Sequence, residues 1–164
     1  MRRTPMNAME EFMPRTAPPA IRPQSLSEYF EVLSKAVFKS GISWGVIEAR
    51  WGGLRAAFAA FDPTRVASFT PETIEHLMSD ARIVRSRQKI EATVDNAAQI
   101  VTVDREHGGF GNYLRSHGSF EDTVADLTTR FRCLGDSGAY FFLKSIGEPV
   151  PSRPPAGATR LTTG

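Results

Sequence analysis

Residues 133–140, Cys-Leu-Gly-Asp-Ser-Gly-Ala-Tyr, have the composition of a short turn that leads into a helix. Such a turn frees the backbone amides at the N-terminus of the following helix, and these amides together with the helix dipole favour a phosphate group. We therefore predict that Gly135, Asp136, Ser137 and Gly138 bind the DNA backbone without reading its bases, as a helix-hairpin-helix motif does. An ordinary tight turn between two helices fits the same residues.

A cluster of basic residues surrounds a second predicted turn between helices. Its members are Arg82, Arg85, Arg87 and Lys89. Lysine and arginine side chains neutralise phosphates, so the cluster predicts a phosphate contact. Asp80 and Glu91 flank it and the net charge of the whole chain is only +2, so a solvated face with local ion pairs is the alternative.

Trp44 follows a run of small residues at the start of a predicted helix. A tryptophan placed there can form one wall of a pocket that stacks a flipped base, and a cationic base gains further from the ring quadrupole. A tryptophan of the hydrophobic core is the alternative.

No metal or cofactor chemistry is predicted. His76, His107 and His117 lack the spacing of metal ligands, and Cys133 is the only cysteine. Ser43 and Ser137 lack the strand-to-helix context of a hydrolase nucleophile elbow. We therefore expect neither a metal nor a cofactor.

The elements that must position these residues are all helical. Hydrophobic residues make up 41% of the chain and charged residues 23%, which excludes a disordered chain, and one cysteine excludes a disulfide scaffold. Helix starts are predicted at Ser25, Asp62-Pro63, Thr70-Pro71, Ser86 and Ser119. The second helix is predicted over residues 44–60, and the last over residues 139–146. The sequence therefore predicts an all-α, compact bundle of seven or eight short helices with a helix-hairpin-helix motif.

Proline marks the limits of the predicted domain, because nine of the eleven prolines lie near the two ends of the chain. We predict a Pro-rich N-terminal segment over residues 1–24, a helical domain over residues 25–148 and a Pro-rich C-terminal tail over residues 149–164. No apolar run approaches the roughly 20 residues of a membrane span. We therefore expect a monomeric cytoplasmic protein that does not bind a membrane.

Residues 26–147 resemble the DNA-3-methyladenine glycosylase I family of the helix-hairpin-helix superfamily. An ordered set of segments carries the resemblance: Ser-Gly-Ile-Ser-Trp at 40–44, Phe-Ala-Ala-Phe-Asp-Pro at 58–63, Arg-Ile-Val-Arg-Ser-Arg-Gln-Lys-Ile-Glu-Ala at 82–92, Asn-Ala at 96–97, then Phe110, Tyr113-Leu114 and Leu134-Gly135. The resemblance implies a compact helical monomer that flips an alkylated purine out of double-stranded DNA and hydrolyses its N-glycosidic bond.

The resemblance also implies the positions of a site. Trp44 stands where the family stacks cationic 3-methyladenine, and Ile42 where the family has an apolar residue on the loop that probes DNA. The base-binding pocket is expected to include Tyr29, Ala36, Phe38, Ser43 and Trp44. Phe38 is a candidate for the wall opposite Trp44, with core packing as the alternative.

The sequence departs from the family pattern at several positions. Ala36 replaces a glutamate that the family carries eight residues before its tryptophan. The cysteines and histidines of the family's structural zinc site are missing. No aspartate follows the hairpin, and the hairpin lysine of lyase-type relatives is absent, with Ser137 nearby. The catalytic residue is therefore unassigned, and a combined glycosylase and lyase is not expected.

Three functions are compatible with this sequence. The first is a monofunctional glycosylase for cationic alkylated purines, for which neutral lesions such as hypoxanthine are poor substrates. The second is a non-catalytic protein that binds DNA lesions or the free alkylated base. The third is a helical interaction module whose basic and aromatic residues are structural.

Overall fold

The structure is a computed structural model that describes residues 21–152. Within this range the chain forms eight α-helices, one short 3-10 turn and no strand, which confirms the all-α prediction. The helices are α1 Leu26–Lys39, α2 Trp44–Ala57, α3 Pro63–Ala67, α4 Pro71–Met78, α5 Arg87–His107, α6 Phe110–Leu114, α7 Phe120–Arg130 and α8 Asp136–Ser145. Most of the two predicted Pro-rich tails, residues 1–20 and 153–164, lies outside the described residues.

The helix starts follow local rules of capping. The hydroxyls of Ser25, Thr70, Ser86 and Ser119 each accept a hydrogen bond from the amide three residues further on. Asp62 accepts one from the Thr64 amide, and Pro63 occupies the first helical position. Each bond pairs an amide that the helix itself leaves free, which is why these predicted starts are confirmed.

The core lies around α5, the longest helix, which packs against α1, α3, α4 and α6. Its buried face includes Ile90, Ala97, Ile100 and Val103. Helix α1 also packs on α2 and α8 and buries Phe30, Leu33, Ala36, Val37 and Phe38. As a result α1 is the element that connects α2 with the helix of the predicted hairpin.

Helix α2 ends at Ala57, so the prediction that it reaches residue 60 was wrong. Ala59, Ala60 and Phe61 form a 3-10 turn with φ values of 54°, 56° and 55°. Left-handed backbone costs roughly 1–2 kcal/mol per non-glycine residue. Burial of Phe61 offsets the cost, because its ring stacks on Trp51 at 5.0 Å and on Phe58 at 5.6 Å.

Helix α8 begins three residues before its predicted start at Ala139. The Ala139 amide donates to the Gly135 carbonyl at 2.9 Å and closes the first helical turn over Asp136, Ser137 and Gly138. Ile21 donates to the Ser145 carbonyl and Tyr140 to the Pro151 carbonyl, so short stretches on both sides of residues 25–148 contact this helix. None of the helices within residues 21–152 is long and apolar enough to cross a membrane.

Candidate functional site

Trp44 lies where α1, α2 and α8 meet. It is the first residue of α2, and the preceding Ser43 caps this helix by accepting from the Val46 amide at 3.4 Å. The indole ring is only 5% exposed and packs against Phe141 of α8, with 6.0 Å between the ring centroids. The tryptophan of the candidate pocket therefore contacts the helix that follows the predicted hairpin.

Two lysines of α1 lie against the aromatic residues of this region. The Lys35 ammonium is 6.0 Å from the centroid of Trp44 and 5.4 Å from that of Trp51. The Lys39 ammonium is 4.6 Å from the centroid of Phe141, and burial lowers its pKa. Trp44 is thus contacted by Phe141 and by a cation, and its ring is buried.

Ala36 lies directly beneath α8. It is 1% exposed, and a Cβ atom built on Gly138 would lie 4.0 Å from the Ala36 Cβ and 3.1 Å from the Leu134 side chain. Two small residues therefore let α1 and α8 approach closely at Ala36, the position where the resemblance implies a glutamate.

Phe38 and Tyr29 lie away from the ring of Trp44. Phe38 is fully buried and its ring packs against Trp51 at 6.4 Å and Phe58 at 6.0 Å, which is the core packing considered as the alternative. Tyr29 precedes Ala36 by two helical turns, roughly 10 Å along α1. Its ring packs on Phe110 at 5.2 Å, and burial raises its pKa against the opposing charge of Arg115.

Ile42, predicted to probe DNA, lies in the short connection between α1 and α2. Its side chain is half-buried against the core, and its amide donates to the Lys39 carbonyl at 3.0 Å. Val46, one turn into α2, is 46% exposed. The segment of residues 42–44 thus places the apolar side chain of Ile42 near the surface and the ring of Trp44 in the interior.

The predicted hairpin is a five-residue connection, residues 131–135, between α7 and α8. Asn96 of α5 holds it: its side-chain amide donates to the Arg132 carbonyl at 3.0 Å, and its oxygen accepts from the Arg132 amide at 2.8 Å. Asn96 is 2% exposed, and Leu134 is buried. Gly135 caps α8 without a side chain, so no side-chain oxygen competes for the first amides of this helix.

An open groove of about 550 Å³ lies beside this connection. Its polar lining comes mainly from α5, α7 and the hairpin: Gln88, Lys89, Thr128, Thr129, Arg132 and Gly135. Hydroxyls and a helix N-terminus are groups that contact phosphate oxygens, whereas the Lys89 ammonium donates to carbonyls of α1 and Arg132 pairs with Asp95. The groove is therefore the candidate nucleic-acid contact.

The four residues of the basic cluster have different environments. Arg82 pairs with Asp80 at 2.7 Å, and hydrogen bonds from Arg82 lower the pKa of Asp80 to about 2. Arg87 pairs with Glu75 at 2.7 Å, whereas the Lys89 ammonium donates to carbonyls at the end of α1. Arg85 is exposed and has no ion pair within residues 21–152. Arg82 and Arg87 thus form the local ion pairs of the alternative, and a phosphate contact by Arg85 stays a prediction.

Sequence reasoning did not assign roles to Asn96 or Lys35. Asn96 could have been found as a polar residue between the apolar positions of a long amphipathic helix, where a buried amide needs partners. Lys35 gave no signal, because its position over two rings depends on how α1 packs on α2. Within residues 21–152 no group of three or more histidine, cysteine, aspartate or glutamate residues is arranged to hold a metal ion.

Residues 22–133 match the sequence profile of the methyladenine glycosylase family, which is more than half of the chain. The chain belongs to this family. It is 31% identical over 100 residues to DNA-3-methyladenine glycosylase 1 of Escherichia coli, a match that covers 61% of this chain and 54% of that protein. It is 25% identical over 139 residues to the DNA-3-methyladenine glycosylase of Haemophilus influenzae, covering 72% of this chain and 75% of that protein.

A solved structure in this family has the same fold. It is a tyrosine-to-phenylalanine variant of 3-methyladenine DNA glycosylase I in complex with 3-methyladenine. Its TM-score to this structure is 0.69 at 26% sequence identity, over 85% of this chain and 88% of the other. The chain spans about half the length, 54%, of the E. coli relative.

Proposed function

We propose that this protein is a DNA repair glycosylase that removes 3-methyladenine or a similar cationic alkylated purine from double-stranded DNA. It would act as a monomer that flips the base out of the duplex and hydrolyses its N-glycosidic bond. The observation that carries the proposal is the contact between Trp44 and Phe141, which joins the candidate stacking ring to the helix of the predicted hairpin. The relatives in this family are named for the same base.

The DNA would lie across the groove beside the hairpin. The amides of Asp136, Ser137 and Gly138 are at the N-terminus of α8, where the helix dipole favours a phosphate. Arg85 would add a phosphate contact, as would Arg82 and Arg87 after release from their surface carboxylates. Ile42 would enter the duplex beside the flipped base.

Base binding would require Lys35 to leave the ring of Trp44. The ring is 5% exposed and the Lys35 ammonium lies 6.0 Å from its centroid, so a base that stacks on the ring has to displace this side chain. A half-exposed lysine on a flexible stem can move at low cost, because an exposed cation–π contact contributes only about 0.5–1 kcal/mol. A cationic base would then take over the cation–π contact with the ring.

Catalysis would rest on positioning instead of on a carboxylate of α1. Ala36 supplies none, and Glu31, one turn before Lys35, accepts from the Trp51 indole at 2.8 Å and lies 3.5 Å from Arg55. General acid catalysis contributes typically about 10²- to 10⁴-fold where the leaving group needs a proton. A base alkylated at N3 already carries the positive charge, so it leaves without this help, whereas hypoxanthine does not.

The decisive experiment measures base release from methylated duplex DNA by the wild type and two variants, Trp44→Ala and Trp44→Phe. We expect 3-methyladenine release by the wild type, at least a tenfold loss in Trp44→Ala and partial retention in Trp44→Phe, which keeps an aromatic face. Val46→Ala, on the exposed side of the same helix, is the control and should release base normally. Hypoxanthine release as fast as that of 3-methyladenine would contradict the proposed chemistry.

A non-catalytic binder of lesions or of the free alkylated base is the second candidate. It is favoured by one observation, the closed packing of Ala36 beneath Gly138 where the family pattern has a carboxylate. Salt-dependent duplex binding without any base release would establish this candidate. Absence of duplex binding would exclude the glycosylase and the binder of DNA lesions, and a helical interaction module would be the remaining function.

A further inference from the structure

The ammonium of Lys89 donates to the end of another helix. Lys89 is in the first turn of α5, and its Nζ atom donates to the Phe38 carbonyl at 3.2 Å and to the Ser40 carbonyl. Both carbonyls belong to the C-terminal end of α1. The side chain is half-buried, and burial lowers its pKa against an opposing contribution from Cys133.

This contact satisfies a requirement of the end of α1. The last four carbonyls of a helix have no partner within the helix, and the helix dipole favours a cation there. The backbone of α1 stops at Ser40, which is extended, and the turn through Gly41 pairs only the Lys39 carbonyl, with the Ile42 amide. Lys89 therefore caps α1 from another helix.

The capped end of α1 is also the start of the segment that carries the candidate site. Gly41 follows with a φ of 78°, the Ile42 amide returns to the Lys39 carbonyl, and Ser43 caps α2 immediately before Trp44. Only three residues separate the Ser40 carbonyl held by Lys89 from Trp44. A displacement at Ser40 would therefore move both Ile42 and Trp44.

Lys89 also lines the groove of the hairpin together with Cys133, Leu134 and Gly135. A lysine in a groove that would hold DNA would ordinarily be read as a phosphate contact. Its hydrogen bonds are made instead to two backbone carbonyls, those of Phe38 and Ser40, of which Ser40 also lines the groove. The same side chain thus lies between the hairpin and the segment with Ile42 and Trp44.

We propose that Lys89 is a positioning residue, which holds the segment of residues 40–44 in register with the hairpin so that Ile42 and Trp44 meet the DNA correctly. This proposal rests on the proposed function for its catalytic readout. It assigns Lys89 to base flipping and stacking, and not to the phosphate contacts of the basic cluster.

The test compares Lys89→Met, which keeps the apolar stem and removes the charge, with Lys144→Met, which removes an exposed charge from the end of α8. Folding of each is verified by thermal unfolding. We expect Lys89→Met to lower the single-turnover rate of 3-methyladenine release at saturating enzyme about tenfold. Its affinity for duplex DNA and the salt dependence of that affinity should match the wild type and Lys144→Met.

A phosphate contact would behave in the opposite way. Loss of one contact lowers the slope of log affinity against log salt by about 0.9. Arg85→Met is expected to show that lower slope. The same reduction in Lys89→Met, with an unchanged single-turnover rate, would overturn the proposal.

A third readout does not depend on base release. Amide hydrogen exchange of the free protein should show faster exchange at Ile42 in Lys89→Met, by about tenfold or more, with unchanged exchange in α7. If the wild type releases no base, the proposed function fails, and exchange at Ile42 together with the salt slope still decides the role of Lys89. Unchanged exchange at Ile42 would refute a positioning role.

Discussion

At the scale of single residues, Ala36 lies in the core at the position where the resemblance implies a glutamate. Ala36 and Gly138 lie between α1 and α8, and a Cβ atom at Gly138 would be in van der Waals contact with the Ala36 Cβ at 4.0 Å. A longer side chain at position 36 would therefore have to fit between these two helices.

Ala36→Glu tests this conclusion. We expect the variant to lose about 1–3 kcal/mol of unfolding free energy, because overpacking of a buried position costs that much. Base release should not rise above the wild-type rate. Chemical denaturation and release assays measure both quantities.

Ala49→Glu is the matched control, since it makes the same substitution at an exposed position of α2. Its unfolding free energy should lie within about 0.5 kcal/mol of the wild type. A stable Ala36→Glu protein with faster base release would show that the position is open after all and that the family's carboxylate can be restored.

The limits of sequence reasoning also show at single residues. Trp44 was predicted to lie at a helix start, and it does, because Ser43 provides the cap locally. The environment of Phe38 and the partners of Lys89 were not predictable, because they depend on contacts between residues about 13 and 50 positions apart. The type of side chain alone determines neither the environment of Phe38 nor the partners of Lys89.

At the scale of elements, one glycine allows α2 to pack closely against the basic segment between α4 and α5. A Cβ atom built on Gly53 would lie 2.8 Å from both the Cβ and the backbone oxygen of Arg82. Arg50, one turn earlier, donates to the Ala81 carbonyl at 3.3 Å. Helix α2 can therefore approach this segment closely only where it lacks a side chain.

Gly53→Ala and Gly52→Ala form a matched pair on this helix. Alanine at position 53 should push the Arg82 backbone away and cost about 1–3 kcal/mol of unfolding free energy, since backbone cannot yield as a side-chain tip does. Alanine at position 52 meets nothing within 4 Å and should stabilise α2 by roughly 0.5–1 kcal/mol. Urea denaturation measures both values. Equal unfolding free energies for Gly53→Ala and Gly52→Ala would disprove the close approach.

Elements were more predictable at their starts than at their ends. Serine, threonine and aspartate caps act within three residues, so the starts of α1, α4, α5 and α7 could be predicted from local sequence. The end of α2 at Ala57 depends on the stack of Phe61 with Trp51, ten residues apart in sequence. No local pattern contains that contact.

At the scale of the whole molecule, a polar network around Asp126 joins α6 and α7 away from the candidate site. Asp126 accepts from the Tyr113 hydroxyl at 2.6 Å and from Arg130 Nε at 2.9 Å, and His117 Nε2 lies 3.4 Å away. Burial alone would raise the pKa of Asp126, but hydrogen bonds from Tyr113, Arg130 and His117 outweigh it and leave the pKa below its usual value.

This network predicts how the stability of the molecule depends on pH. Because the folded pKa of Asp126 is lowered, its contribution is fully present above the unfolded pKa of about 3.9 and is lost as the pH falls through the folded pKa. We expect Asp126→Asn to reduce the unfolding free energy by about 1 kcal/mol at neutral pH, since charged hydrogen bonds at a partly exposed site contribute about that much.

The difference between wild type and Asp126→Asn should be constant from neutral pH to about pH 5 and should shrink below about pH 4. Glu121→Gln, on an exposed position of the same helix, is the control and should show little difference at any pH. Base release at neutral pH should be unchanged in Asp126→Asn, because Asp126 contacts neither the hairpin groove nor Trp44. A difference that grows as the pH falls from about 5 to about 3 would mean that the folded pKa of Asp126 is raised, and that its partners do not stabilise its charge.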